Sequence, residues 1–249
     1  YFNNFTNVPI NQKGVVQKIK QLELGLKYGK KDFFATITGF LSQLKNIGIT
    51  DFALDDENGT IFYAPIQFND SRTVGLEWES AYTPISNVTF RFNGTLQNGT
   101  ATKWTVYNTA GSANLADDST LNYSDNTLPF NPSLMFNLGA EYEKDKLNGF
   151  VRWQFMGERE GNVANAFQLP AYSIFNLGLG YDFNQNLSAN IIVTNLLNSE
   201  GLANFFGANS FGASANGVTV DFIQSNPDAG FVVVPILPRG SMLRLSYRF

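Results

Sequence analysis

Nine stretches of the chain alternate apolar and polar residues with a period of two, the spacing that sends successive side chains to opposite faces of a β-strand. In the first, Leu22, Leu24, Leu26 and Tyr28 share one face and Glu23 and Lys27 the other. The third sets Val74, Leu76, Trp78 and Tyr82 against Thr73, Gly75, Glu77 and Glu79. The fifth sets Leu134, Phe136, Leu138, Ala140 and Tyr142 against Met135, Asn137, Gly139, Glu141 and Glu143. The pattern predicts strands near 15–28, 33–45, 72–83, 88–107, 133–143, 149–156, 172–183, 187–195 and 240–249.

The connections between these strands alternate in length. Short turns fall at 29–32, 84–87, 144–148 and 184–186, while long segments follow strands two, four, six and eight. A soluble β-sandwich has no reason to alternate its loops in this way, whereas an outer-membrane barrel pairs short periplasmic turns with long extracellular loops. Tyr28, Tyr82, Tyr142 and Phe183 stand beside the short turns, where an aromatic girdle meets the membrane interface. The fold class expected is therefore all-β, a transmembrane antiparallel β-barrel.

Composition sharpens the same picture. The chain is 43% apolar and 14% aromatic but only 15% charged, against about 25% charged residues in soluble domains. No window reaches the roughly 18 consecutive apolar residues of a membrane helix, and the densest run, Phe231 to Leu237, is broken by Pro235. With no cysteine and no histidine, thiol nucleophiles, Ser-His-Asp triads and the usual zinc sites are excluded. Neither an enzyme nor a cofactor is expected. A balance of 17 basic to 21 acidic residues also argues against nucleic acid, which selects basic surfaces. No signal peptide stands at Tyr1, and an odd strand count does not suit a bacterial barrel. Further strands are thus expected before Tyr1, with residues 1–249 forming one segment of a longer wall.

Several motifs, in order, carry a family resemblance. They are Gly75-Leu76-Glu77-Trp78-Glu79 with Tyr82 and Pro84; Phe155-Met156-Gly157-Glu158-Arg159; Leu169-Pro170-Ala171-Tyr172 followed by Leu177-Gly178-Leu179-Gly180-Tyr181; Val193-Thr194-Asn195-Leu196-Leu197-Asn198; and the Leu243-Arg244-Leu245-Ser246-Tyr247-Arg248-Phe249 end. In this order and spacing the chain resembles the C-terminal part of a TonB-dependent outer-membrane receptor. The resemblance implies the last nine or so strands of a barrel of about 22, with the plug domain and the earlier strands outside this chain. It also implies the outer membrane of a Gram-negative bacterium. The partners implied are the remainder of the receptor, the TonB complex acting through the plug, the barrel-assembly machinery, the lipid bilayer, and a small-molecule or glycan ligand. The function implied is energised uptake of a scarce nutrient such as an iron-siderophore or a carbohydrate; the alternative is a passive porin-like or structural barrel.

Candidate site residues fall into three groups. Trp104 and Tyr107 at the outer end of strand four, with Phe205, Phe206, Asn209 and Phe211 in the last long loop, are candidates to stack on or bond a ligand, against a plain role in loop packing. Glu77, Glu79, Arg91, Glu141 and Arg152 occupy polar-face positions suited to a plug-filled lumen, against simple wall lining, as do Arg244 and Arg248. Leu245, Tyr247 and Phe249 resemble the signal read by the assembly machinery. The acids Asp51, Asp55, Asp56 and Glu57 lack the alternating spacing of a calcium loop and are expected at a solvated tip, so no metal site is assigned.

Overall fold

The computed structural model describes residues 15–49, 52–55, 60–63, 66–108, 119–206, 219–228 and 232–249. Nine strands form a single antiparallel sheet, each paired with its neighbours in chain order. They are β1 (Lys18–Lys30), β2 (Phe33–Ile49), β5 (Gln67–Ile85), β6 (Val88–Lys103), β9 (Leu134–Lys144), β10 (Leu147–Met156), β13 (Tyr172–Asp182), β14 (Leu187–Thr194) and β17 (Gly240–Tyr247). The sheet is not closed within this chain: β1 and β17 are its two edges.

Register explains the alternation. Cα partners share a face, so Leu24, Gly39, Leu76 and Leu96 form one row across four strands. The next row toward the short turns is Leu26, Ile37, Trp78, Gly94, Phe136 and Phe155. These rows belong to a broad apolar band on one face, much of it exposed, Leu24 at 80% and Leu245 further along the sheet at 67%. An apolar surface of this extent needs a non-aqueous neighbour, and an outer-membrane wall supplies one in lipid. Aromatic rings knit the face together: Trp78 meets Phe92 at 5.5 Å, Phe136 meets Trp153 at 4.9 Å, and Trp153 stacks on Phe175 at 5.6 Å. Each such pair contributes about 0.5–1.5 kcal/mol beyond its burial.

Two glycines make room for rings on opposite faces. A Cβ on Gly94 would lie 2.5 Å from the Trp78 ring, so the indole lies across the bare backbone on the apolar face. A Cβ on Gly75 would meet the Phe40 ring at 2.7 Å on the polar face. Either ring covers backbone that would otherwise stand open between strands.

Tight turns at residues 31–32, 86–87 and 145–146 and a short link at 183–186 close one end of the sheet. Around them sit Tyr28, Phe33, Tyr82, Tyr142, Tyr181 and Phe183 on the apolar face, with Tyr28 against Phe33 at 6.1 Å and Phe33 against Tyr82 at 6.2 Å.

The opposite end carries more structure than the sequence pattern predicts. The stretch read as a long polar connection after strand two holds the hairpin β3 (Phe52–Asp55) and β4 (Thr60–Tyr63). Strand two itself runs on to Ile49 through a bulge at Asn46 (φ 58°), whose backbone N–H donates to Asp70 Oδ1 at 2.9 Å. The predicted fourth strand ends early, at Lys103. Thr105 N–H donates to Asn69 Oδ1 at 2.8 Å and Trp104 N–H to Ser124 Oγ at 3.0 Å, which turns the backbone out of the wall. It continues as β7 (Thr105–Asn108), paired with β8 (Ser119–Asn122). Beyond β10 lie the small hairpin β11 (Arg159–Glu160) and β12 (Gln168–Leu169). The last long connection holds β15 (Leu202–Phe206), the helix α1 (Val220–Ser225) and β16 (Val232–Pro235), with β15 and β16 paired.

The buried core lies where these connections meet the outer ends of β2 and β6. Ala101, Trp104, Val106, Val163 and Ala164 pack together, with Ile47, Ile49, Tyr123, Leu128 and Ala166 around them. A one-layer sheet has no interior of its own, so this is where apolar residues escape both water and lipid.

Candidate functional site

The polar face lines a concavity of about 600 Å³ bordered by Thr36, Thr38, Glu77, Glu79, Asn93 and Gln154, among others. Glu77 and Glu79 lie on the face opposite Leu76 and Trp78, as the alternation predicts. Arg91 and Glu141 meet diagonally across β6 and β9, Nε to Oε2 at 3.1 Å. With the two side chains 55% and 39% exposed, water screens the pair and its stabilising effect is small. Arg152 stands in the row of Arg91 and Gly139, its guanidinium 5.5 Å from the centre of the Phe150 ring.

The same face carries a relay of side-chain amides that the sequence pattern did not single out. Asn137 Nδ2 donates to Asn93 Oδ1 at 3.0 Å, Gln154 Nε2 donates to Asn137 Oδ1 at 3.1 Å, and Asn176 Nδ2 donates to Gln154 Oε1 at 3.0 Å. Asn176 Oδ1 then accepts the backbone N–H of Asn195 at 3.1 Å. The relay crosses four strands in one donor direction, so each bond polarises the next. It ends on Asn195, held left-handed at φ 48° and only 2% exposed. Asn195 Nδ2 donates to the carbonyls of Ser199 and Leu237, and its Oδ1 accepts from Ser199 N–H. The clue in the sequence was an amide recurring at the same polar-face level of successive strands, but only register shows that the amides meet.

Above the wall, Arg159 is 6% exposed. Its Nη2 donates to the backbone carbonyls of Leu202 and Ala203, the latter at 2.9 Å, and its guanidinium lies 5.6 Å from the centre of the Tyr172 ring. Arg159 therefore fastens β11 to the start of β15. Burial lowers its pKa, opposed in part by Tyr172. Nearby in the loop core, burial raises the pKa of the Tyr123 phenol.

Of the six candidate ligand residues, Trp104 and Tyr107 are buried, at 6% and 7% exposure. They are fixed within the loop packing rather than presented at a surface. Phe205 and Phe206 lie on β15 in register with Val233 and Val232. Asn209 and Phe211 lie outside the described residues, as do Asp51, Asp56 and Glu57. Leu245 and Tyr247 stand on the apolar face of β17. The ring of Phe249 meets that of Tyr247 edge-on at 5.1 Å, and Arg248 N–H donates to Asn186 O at 2.8 Å. Among the described residues no three acidic, cysteine or histidine side chains gather as a metal site.

The comparisons agree with this geometry. No curated protein matches the chain. In fold the chain is similar to the ferric yersiniabactin uptake receptor FyuA from Yersinia pestis (TM-score 0.66, 16% identity, covering 100% of this chain and 33% of that one). It is also similar to the siderophore receptor PiuA from Acinetobacter baumannii (TM-score 0.63, 16% identity, 92% and 28%) and to the copper transporter OprC (TM-score 0.62, 20% identity, 94% and 31%). The chain spans about a third of the length of these structures. The family described as TonB dependent receptor-like, beta-barrel, matches residues 10–196. The chain belongs to this family and forms part of the β-barrel of a TonB-dependent receptor of the Gram-negative outer membrane.

Proposed function

We propose that the chain supplies barrel wall and extracellular loops to a receptor that takes up a metal chelate, an iron-siderophore above all, with energy delivered through TonB. One observation supports this reading: the long connections leave one end of the sheet, where those after β6 and β10 share a core with the outer ends of β2 and β6, while tight turns and short links close the other end. A built loop platform of this kind suits capture of a ligand rather than free passage. The fold's likeness to a ferric yersiniabactin uptake receptor and to a siderophore receptor supports the choice of ligand class. In this reading Glu77, Glu79, Arg91, Glu141 and Arg152 face a plug contributed by the rest of the receptor. Phe205, Phe206, Asn209 and Phe211 serve the ligand, Trp104 and Tyr107 hold the loops in place, and Leu245, Tyr247 and Phe249 serve assembly.

The test is uptake of radiolabelled ferric siderophores by cells producing the full receptor, with and without TonB. Saturable uptake that vanishes without TonB is expected. Flux that rises linearly with concentration and ignores TonB would instead establish a passive pore.

A further inference from the structure

The chain has three methionines, and all of them break the alternation in the same direction. Met135 stands between Leu134 and Phe136, Met156 follows Phe155, and Met242 precedes Leu243, yet each points away from these apolar-face neighbours. Register places Met135 in the row of Glu77 and Thr95, with Met156 as its Cα partner. Met242 shares a row with Ile192, Gly178, Phe150 and Glu141. A thioether is apolar enough for the lipid side, so its confinement to the polar face asks for a reason.

Met135 and Met156 lie side by side where β9 begins and β10 ends, the end from which the long connections leave and which faces outward in such barrels. Both line the concavity of about 600 Å³, together with Glu77, Glu79 and Tyr172. Residues directly opposite on antiparallel strands hold their Cβ atoms about 4.5–5.5 Å apart, and the rotatable bonds of methionine let two sulfurs close on one ion from there. The backbone beneath them is fixed, with Gly157 N–H donating to Leu134 O at 2.9 Å. One row further in, Gln154 Nε2 donates to Asn137 Oδ1 at 3.1 Å, so those amides are committed to each other and leave the sulfurs uncontested. Glu77 and Glu79 make no ion pair among the described residues, and two carboxylates in a concave wall draw cations toward it. An uncharged thioether is a poor ligand for hard cations and a good one for soft ions such as copper(I).

We propose that Met135 and Met156 together bind one soft monovalent metal ion, of the copper(I) class, at the outer mouth of the lumen wall. Plain packing against a plug would need only an apolar group of this size, which leucine supplies without a sulfur. The site is built from the wall alone, so it stands whatever chelate the receptor takes up.

Silver(I), a soft ion that needs no reductant, is the probe. The full receptor, labelled with carbon-13 at its methionine methyl groups, is titrated with silver nitrate in chloride-free buffer, and the signals of Met135, Met156 and Met242 are assigned by their loss in the three single leucine variants. The Met135 and Met156 signals are expected to shift together and to saturate near a single ion, while the Met242 signal stays in place. In Met135→Leu the Met156 signal should no longer move at that silver concentration, and in Met156→Leu the Met135 signal should not. Met242→Leu should leave the paired shift intact, and zinc should not produce it. Heat-modifiable migration on gels reports that each variant barrel is folded. Static Met135 and Met156 signals in the wild type, an undiminished shift of either one after loss of the other, or an equal shift with zinc would overturn the proposal.

Discussion

Asn137 Nδ2 donates to Asn93 Oδ1 at 3.0 Å across two strands whose sequence positions are 44 residues apart. Because Asn137 Oδ1 also accepts from Gln154, Asn137 is a joint in the relay rather than a terminus. Replacing Asn93 and Asn137 by alanine, singly and together, should give a coupling energy of about 0.5–1 kcal/mol in denaturant unfolding of the reconstituted receptor. Strict additivity would show that water satisfies these amides equally well.

Gly75 and Gly39 stand on neighbouring strands in different steric surroundings. A Cβ on Gly75 would lie 2.5 Å from the backbone oxygen of Leu96, which cannot yield without parting β5 from β6. Gly75→Ala should therefore cost roughly 1–3 kcal/mol, whereas Gly39→Ala, with nothing within 3.5 Å, should change stability by less than about 0.5 kcal/mol. Urea midpoints of the two variants make the comparison.

The strands and their faces were legible in the sequence because a lipid-facing wall follows one rule, alternation, which Leu22 to Tyr28 obey throughout and Leu134 to Tyr142 obey but for Met135 on the polar face. The ends of the strands were less so. Whether the chain leaves the wall at Lys103 depends on Asn69 and Ser124 capturing the backbone of Thr105 and Trp104 from distant segments, which no local pattern records. Trp104 drew notice as an aromatic at a strand end, a position equally consistent with stacking on a ligand and with the packed loop core it occupies. Arg159 stood within a quoted motif, but its role came from the carbonyls of Leu202 and Ala203, 43 and 44 residues away.

Arg159→Ala should release the start of β15 while leaving the wall intact. Limited proteolysis is expected to cut within residues 196–240 several-fold faster, with heat-modifiable migration of the barrel unchanged. Arg159→Lys should restore protection only in part, because an ammonium lacks the planar fork that serves two carbonyls at once. Protection equal to wild type in the alanine variant would remove Arg159 from this role.

Burial favours the neutral phenol of Tyr123 and raises its pKa. A raised folded-state pKa contributes stability that is fully present below the ordinary tyrosine value of about 10 and is lost as pH rises through the folded value. Protease protection of the loop core should therefore fall above about pH 10 in wild type and fall less in Tyr123→Phe. Identical alkaline profiles would place the loss elsewhere.

Deleting Phe249, whose ring packs on Tyr247 at the end of β17, should lower the yield of assembled barrel in cells several-fold. Phe183→Ala, an aromatic of the same turn region, should assemble normally. Equal yields would show that the terminal ring is not read during assembly.

The most direct test of the membrane wall uses the absence of cysteine from this chain. Single cysteines placed along β9 in the full receptor, its other cysteines removed, can carry a fluorophore in liposomes containing brominated lipid. Labels at Phe136→Cys, Leu138→Cys and Ala140→Cys should be strongly quenched, and those at Asn137→Cys, Gly139→Cys and Glu141→Cys should not. Quenching with a period of two is the result expected of a one-layer wall between lipid and lumen; equal quenching of both sets, or of neither, would contradict it.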